Sequence, residues 1–323
     1  MIKRCTLAIA AVIGFTTFTA TQALAQEYPV RPIRIVVPFA PGGGTDILAR
    51  LMGQRWHETM GQPVIVENRA GASGNIGAEI VAKSAPDGYM LMLSTASLTV
   101  NQTLYPKLAY DLRRDFAPIS QIASSALVLV THPSVPVRTV KEFAALSQKT
   151  KGGLNFASNG AGTTSHLSGV LLQQMARVSV NHVHYKGAGP AITAALGGEV
   201  EFAIPAIISA RPHVLSGRLR GLAVTTVKRS AVLPDLPTLD SMYPGFETYN
   251  WFTLFAPAKT PQAIITRLHG EVVRALQHPD VKAFMERDGA EATGNTPAEV
   301  SAFINREIDK YAKVIRSAGV KLD

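Results

Sequence analysis

Three glycine-rich turns hold the residues best suited to chemistry in this chain. They are Phe39-Ala-Pro-Gly-Gly-Gly-Thr-Asp46, Gly71-Ala-Ser-Gly-Asn-Ile-Gly77 and Asn159-Gly-Ala-Gly-Thr-Thr-Ser-His166. Each follows a short apolar run and precedes a helix-forming one. Glycine permits positive φ and close backbone approach. A helix N-terminus presents unpaired N–H groups and the positive end of a dipole. The combination is an anion site. The nucleotide forms of such a site are not met. No turn supplies the lysine of Gly-x-x-x-x-Gly-Lys-Ser/Thr, and Gly-x-Gly-x-x-Gly is absent at 42 and poorly matched at 71–77. Within the first turn, Ala40, Pro41, Gly42 and Gly43 offer backbone. Asp46 reads as a first-turn carboxylate facing the helix dipole, and Thr45 as a candidate cap. Ser94 and Thr95 end a strand that converges on the same place.

The third turn adds hydroxyls at Ser158, Thr163 and Thr164 beside Gly160 and Gly162, and it ends on His166, which reads either as a donor to a bound carboxylate or as a surface or packing residue; the hydroxyls beside it favour the cleft. His182 and His184 share one strand face. That spacing can hold a metal, but no third ligand lies nearby in sequence, so packing is the expectation and no metal or other cofactor is implied. Nucleophilic catalysis has little support: there is no Gly-x-Ser-x-Gly elbow, and the acidic residues lie mostly away from the glycine turns. The residue types favour holding a ligand over converting it, and no enzyme is expected. Trp251 and Phe252 read as core or hinge packing.

The elements that position these turns follow from periodicity. Ile33 to Val37 is β-branched and nearly continuous, as a strand covered on both faces requires, and apolar residues at 47, 48, 51, 52 and 56 have helical spacing. Strands at 63–68 and 89–95 alternate with helices, which predicts a parallel, helix-covered sheet with ligands beyond the strands' carboxyl ends. Arg113 to Ile119 reads as a loop and 126–130 as a strand. A second series then predicts its own parallel sheet, with a capping box at Thr139–Glu142 opening one helix and a short helix at 211–217. An apolar strand near 249–255 leads back. The helices at 261–277, 280–288 and 297–317 are expected on the first sheet. The expected division is 26–127 plus 249–323 as one domain and 128–248 as the other, hinged around a cleft.

The first 25 residues read as a cleavable export signal. Lys3 and Arg4 precede an apolar core, and Ala23-Leu24-Ala25 is a small-x-small cleavage site. Removing them from the 323-residue chain leaves 298 residues and takes away the only cysteine, Cys5. The whole chain carries 32 Lys and Arg against 23 Asp and Glu. The basic residues are scattered without a block, which argues against nucleic acid and suits the attraction of small anions.

The segments Tyr28 to Asp46, Val66-Glu-Asn-Arg-Ala-Gly-Ala-Ser-Gly74, Ala85-Pro-Asp-Gly-Tyr89, Ser158 to Leu167 and Tyr185-Lys-Gly-Ala-Gly-Pro-Ala191 together resemble the Bug family, the TctC-like substrate-binding proteins of tripartite tricarboxylate transporters. The resemblance runs through the chain in order. It implies an α/β fold of the type II periplasmic-binding-protein kind, with two doubly wound lobes around a ligand cleft joined by two crossover segments. It also implies a periplasmic monomer that binds a small organic carboxylate and passes it to inner-membrane transporter subunits. The ligand's proximal carboxylate would be held by Phe39 through Asp46 with ordered waters, and the second turn maps to Ser158 through His166. Many members carry an acidic residue after the Gly197-Gly-Glu-Val-Glu-Phe-Ala203 run; this chain has Ile204-Pro205-Ala206. That departure disfavours an amino-acid ligand and points to a di- or monocarboxylate, with Ala206 at the site. His184 stands where the family often has proline. The alternative is a sensor that reports the same binding event to a signalling partner.

Overall fold

The computed structural model describes residues 28–318; the expected export signal, 1–25, lies outside the described residues. The chain opens with β1 (Ile33–Val37), α1 (Gly44–Met60), β2 (Val64–Asn68), α2 (Asn75–Ala82), β3 (Met90–Thr95), α3 (Ser97–Leu104) and β4 (Phe116–Ala126). It continues through β5 (Val128–Thr131), α4 (Val140–Lys149), β6 (Leu154–Ser158), α5 (Thr164–Ala176), β7 (Val180–His184), α6 (Ala188–Leu196), β8 (Phe202–Ala203), α7 (Ile207–Leu215) and β9 (Arg220–Val224). It returns through β10 (Tyr249–Pro257), α8 (Gln262–Gln277), α9 (Pro279–Asp288), β11 (Glu291–Ala292) and α10 (Pro297–Ala318). Two sheets result, ordered β11-β4-β10-β3-β1-β2 and β7-β6-β8-β5-β9.

Both sheets are mixed, which corrects the parallel expectation for each. In the first sheet, β10 runs antiparallel to its neighbours β3 and β4, while β2, β1 and β3 are parallel. In the second, β5 runs antiparallel to β8 and β9, while β7, β6 and β8 are parallel. The two reversed strands have the same origin: each is entered directly from the other sheet. A strand reached by a helical crossover ends at the cleft, whereas one that has just crossed over begins there. Only Leu127 separates β4 from β5, whereas the return from β9 to β10 runs through 225–248, with Thr225 and Thr248 at its two ends. The Thr225 hydroxyl accepts from the Leu127 N–H (3.0 Å) and donates to the Thr248 carbonyl (2.7 Å), stitching the two crossings together.

Two further expectations change. The loop expected at 113–119 is the start of β4, which begins at Phe116 and contains Pro118. The β4–β10 pairing shifts register between Leu254 and Phe255, opposite Pro118, so the missing N–H falls at an irregularity of the ladder. The helix expected from Arg211 starts at Ile207, capped by Ala206 in extended conformation.

Alternation along β1 sorts its side chains. Ile33, Ile35 and Val37 pack with Leu48, Met52 and Trp56 of α1 and Leu268 and Val272 of α8; Val36 joins the opposite layer with α2, α3 and α10. In the second sheet, Phe156 stacks on Phe202 (4.8 Å between centroids), which meets Phe143 of α4 edge-on. Burying an aromatic or branched side chain of this kind contributes about 1.5–3 kcal/mol. The cores thus fix the strand ends, and the strand ends fix the turns. The capping box at Thr139–Glu142 is formed in both directions.

Candidate ligand-binding site

Five helices begin at one cavity between the sheets. Gly43 caps α1, Thr163 caps α5, Gly187 caps α6, Ala206 caps α7, and α3 starts at Ser97. The cavity is small, about 30 Å³, and partly open to solvent, and its lining includes Gly43, Gly44, Thr45 and Asp46, then Thr95 and Ser97, then Thr163, Thr164 and Ser165, with Ala188 and Ala206. Each terminus leaves N–H groups without an intrahelical acceptor and adds roughly half a positive charge. Phe39, Ala40, Leu127 and Phe252 supply apolar wall, and Asn159 and Asn250 supply amides. Among the described residues, no Lys, Arg or His lines this cavity. The Asn159 Oδ1 and Ser165 Oγ atoms are buried with no hydrogen-bond partner in the protein. The donors at this cavity are backbone N–H groups of helix termini, and they suit a small anion held by charge-assisted hydrogen bonds.

Of the residues singled out in sequence, Phe39, Ala40, Gly43, Thr45, Asp46, Thr95, Thr163, Thr164 and Ala206 line this cavity. The others sit around it. Ser94 is fully buried in β3. Gly42 donates its N–H to Asp46 Oδ2 (3.2 Å). The Ser158 hydroxyl and His184 Nδ1 are 2.5 Å apart. Thr45 is not the cap of α1; Gly43 holds that position, and no side chain caps it.

Asp46 shapes the first turn. Its carboxylate accepts from the Gly42 N–H, from Arg50 (2.9 Å) and from Asn68 Nδ2 (3.1 Å), and Asn68 also donates to the Phe39 carbonyl (3.0 Å). Burial opposes ionisation, yet the bonds from Arg50, Gly42 and Asn68 outweigh it and hold the carboxyl below its usual range. Asp46→Ala therefore frees the turn, and chemical denaturation at neutral pH should show a loss of about 1–3 kcal/mol. Because the folded pKa is depressed, this stabilisation is present above the ordinary carboxylate range and fades as pH falls through the folded value.

His166 does not reach the cavity lining. Its Nδ1 accepts from the Gly162 N–H (3.0 Å), and its ring meets those of His182 and His184 edge-on at 5.0 and 4.8 Å. Burial, then the neighbouring His182 and His184, push its pKa down to about 3. A neutral ring with an accepting Nδ1 braces the turn that starts α5. Among the described residues no cluster of three His, Cys, Asp or Glu is arranged to hold a metal ion.

The rims of the cleft touch. The Ala40 N–H donates to the Lys186 carbonyl (2.8 Å), and Ser73 Oγ to the Ala161 carbonyl (2.5 Å). Glycines make this approach possible. A Cβ on Gly189 would lie 1.9 Å from the Pro41 carbonyl oxygen, and Gly187, at φ 137°, lies against Ala40 and Phe39. The motif Lys186-Gly-Ala-Gly189 is thus small because backbone meets backbone across the cleft.

Residues 48–320 match the family described as tripartite tricarboxylate transporter family receptor. The chain belongs to that family. These receptors and their structural neighbours are solute-binding proteins, not enzymes. Protein BugT of Bordetella pertussis is 38% identical over 319 residues, covering 98% of each chain. A structure of an R. palustris protein with adipate shares 35% identity with a TM-score of 0.88, covering 91% of this chain and 99% of that one. MatC from Rhodopseudomonas palustris with bound malate shares 33% identity with a TM-score of 0.84, covering 89% and 100%. Among the described residues, this receptor has no helix long and apolar enough to cross a membrane.

Several lining residues escaped the sequence reading. Asn159, Ser165 and Ala188 sit inside motifs already in view, where only their neighbours were singled out. Ser97 opens a helix that no periodicity announced. Leu127, Asn250 and Phe252 lie beside the crossings, and their place at the cavity depends on which strands meet there.

Proposed function

We propose that the protein is a periplasmic receptor that closes on a small organic di- or monocarboxylate and delivers it to the membrane subunits of a tripartite tricarboxylate transporter. The observation that carries this reading is the convergence of five helix N-termini on a cavity whose lining has no basic side chain. Backbone donors aimed from several directions can satisfy a carboxylate without a counter-ion. The adipate and malate held by structural relatives support the ligand class; Ala206 stands where many members have an acid, and Asp46, which does line the cavity, is already paired with Arg50. Residues 26–127 with 249–323 would form one lobe and 128–248 the other, moving about Leu127 and the Thr225–Thr248 seam as a monomer. The first 25 residues would direct export and be removed.

The test is a calorimetric and thermal-shift screen of mono-, di- and tricarboxylates beside amino acids and phosphate. A cognate carboxylate at about a hundred times its Kd should stabilise the protein by about 2.7 kcal/mol. Binding of amino acids or phosphate with no response to any carboxylate would refute the assignment.

A further inference from the structure

Beside the main cavity lies a second chamber of about 230 Å³, open to solvent. Its walls come from the turn Gly71–Gly74, from Tyr105, from Gly160 and Ala161, and from His184 to Lys186. Phe39 and Asn159 line both spaces. They form the partition between them.

Phe39 is held in that place. It is 7% exposed. A Cβ on Gly74 would stand 3.3 Å from its Cζ, and a Cβ on Gly187 would stand 3.1 Å from its Cβ. Gly74, in the segment between β2 and α2, lies against the tip of the ring, and Gly187, in the segment between β7 and α6, lies against the Cβ at its root, so the side chain is held at both ends. It has little room to swing aside while the rims are in contact. The two spaces also differ in charge. The main cavity has no Lys or Arg in its lining, whereas the second chamber has Lys186 together with the Tyr105 hydroxyl, which donates to Ser73 Oγ (3.2 Å).

We propose that Phe39 sets the maximum length of the bound ligand: its ring ends the main cavity, and without it the second chamber would accept the distal carboxylate of a longer diacid beside Lys186. This rests on the carboxylate reading of the main cavity and adds which carboxylates are refused. Short chains would stay on the near side of the ring. Longer ones must cross the ring's position, and the wedge between Gly74 and Gly187 prevents that.

The test is titration calorimetry of succinate, adipate and suberate, with butyrate and octanoate as singly charged partners, against the wild type, Phe39→Ala, and Phe39→Ala combined with Lys186→Ala. In Phe39→Ala the affinity for suberate relative to succinate should rise by at least about tenfold, the scale on which a hydrophobic pocket discriminates chain length. Lys186→Ala should remove that gain for suberate and leave succinate unaffected. Equal loss of affinity across all chain lengths would overturn the proposal and leave Phe39 as packing only. If the wild type binds none of these acids, the carboxylate reading falls and the length limit falls with it. Should Phe39→Ala not melt cooperatively, Phe39→Leu, which shortens the side chain and stays apolar, carries the same comparison.

Discussion

Gly189→Ala should weaken ligand binding by roughly a hundredfold, about 2.8 kcal/mol at 25 °C, while the unliganded protein unfolds as before. The added Cβ would lie 1.9 Å from the Pro41 carbonyl oxygen. That oxygen belongs to a proline one residue from Ala40, whose N–H is bonded to Lys186 across the cleft, so neither side can give way without parting the rims. Away from the cleft the substitution is benign. Gly189 is the second residue of α6, its φ lies outside the left-handed range, and alanine is the better helix former. The whole effect should therefore fall on the closed state. If binding needs closure, the apparent Kd rises in proportion to the loss of the closed population. Titration calorimetry with the cognate carboxylate measures the loss, and small-angle scattering with and without ligand reports compaction. Wild-type affinity with a permanently extended scattering profile would mean that the ligand binds one lobe alone.

Much of this was legible in the chain, and the illegible part has a physical pattern. The glycine turns, the β1–α1 unit and the amphipathic α8 and α10 announce themselves through local periodicity, because burial of one face dictates which residues recur. The capping box at Thr139 is local in the same way. What local pattern cannot carry is strand direction. The reversal of β5 and β10 follows from how the chain passes between sheets, and no residue within either strand encodes it. The start of β4 reads as loop in the sequence; Pro118 within it lacks a ladder donor, and the register shift against its partner β10 accommodates it. The same limit applies to the site. Thr163 and Gly43 stand in glycine turns and were found. Leu127 and Phe252 are ordinary apolar residues until the crossings bring them to the cavity. His166 was drawn to the ligand by its place in a turn, yet its accepting Nδ1 and its two histidine neighbours on β7 give it a bracing role that only the pairing of β6 with β7 reveals.

That bracing role leads to the second large effect. The wild type should lose stability steadily as pH falls below about 6.5, and His166→Asn should lose distinctly less over the same range. The folded-state pKa of His166 is pushed to about 3, by burial first and then by His182 and His184, whereas in the unfolded chain it titrates near 6.5. Between these values the unfolded chain binds a proton that the folded protein refuses. Stability therefore falls with pH through this window and levels off below the folded value. At neutral pH nothing is lost; by pH 5 the contribution is about 2 kcal/mol, and across the whole window on the order of 4–5 kcal/mol. Asparagine keeps an oxygen that can accept from the Gly162 N–H and does not titrate. The variant should be less stable than the wild type at pH 7, where it lacks the ring contacts with His182 and His184, and the gap should narrow in acid. Urea unfolding at a series of pH values separates the two slopes, and carboxylates such as Asp46 contribute to both alike. Parallel slopes would mean that the trio does not hold His166 neutral. The consequence reaches the cavity because the turn braced by His166 carries Thr163 and Thr164: a proton on Nδ1 would face the Gly162 N–H donor to donor, and the α5 terminus would lose its shape before the fold as a whole gave way.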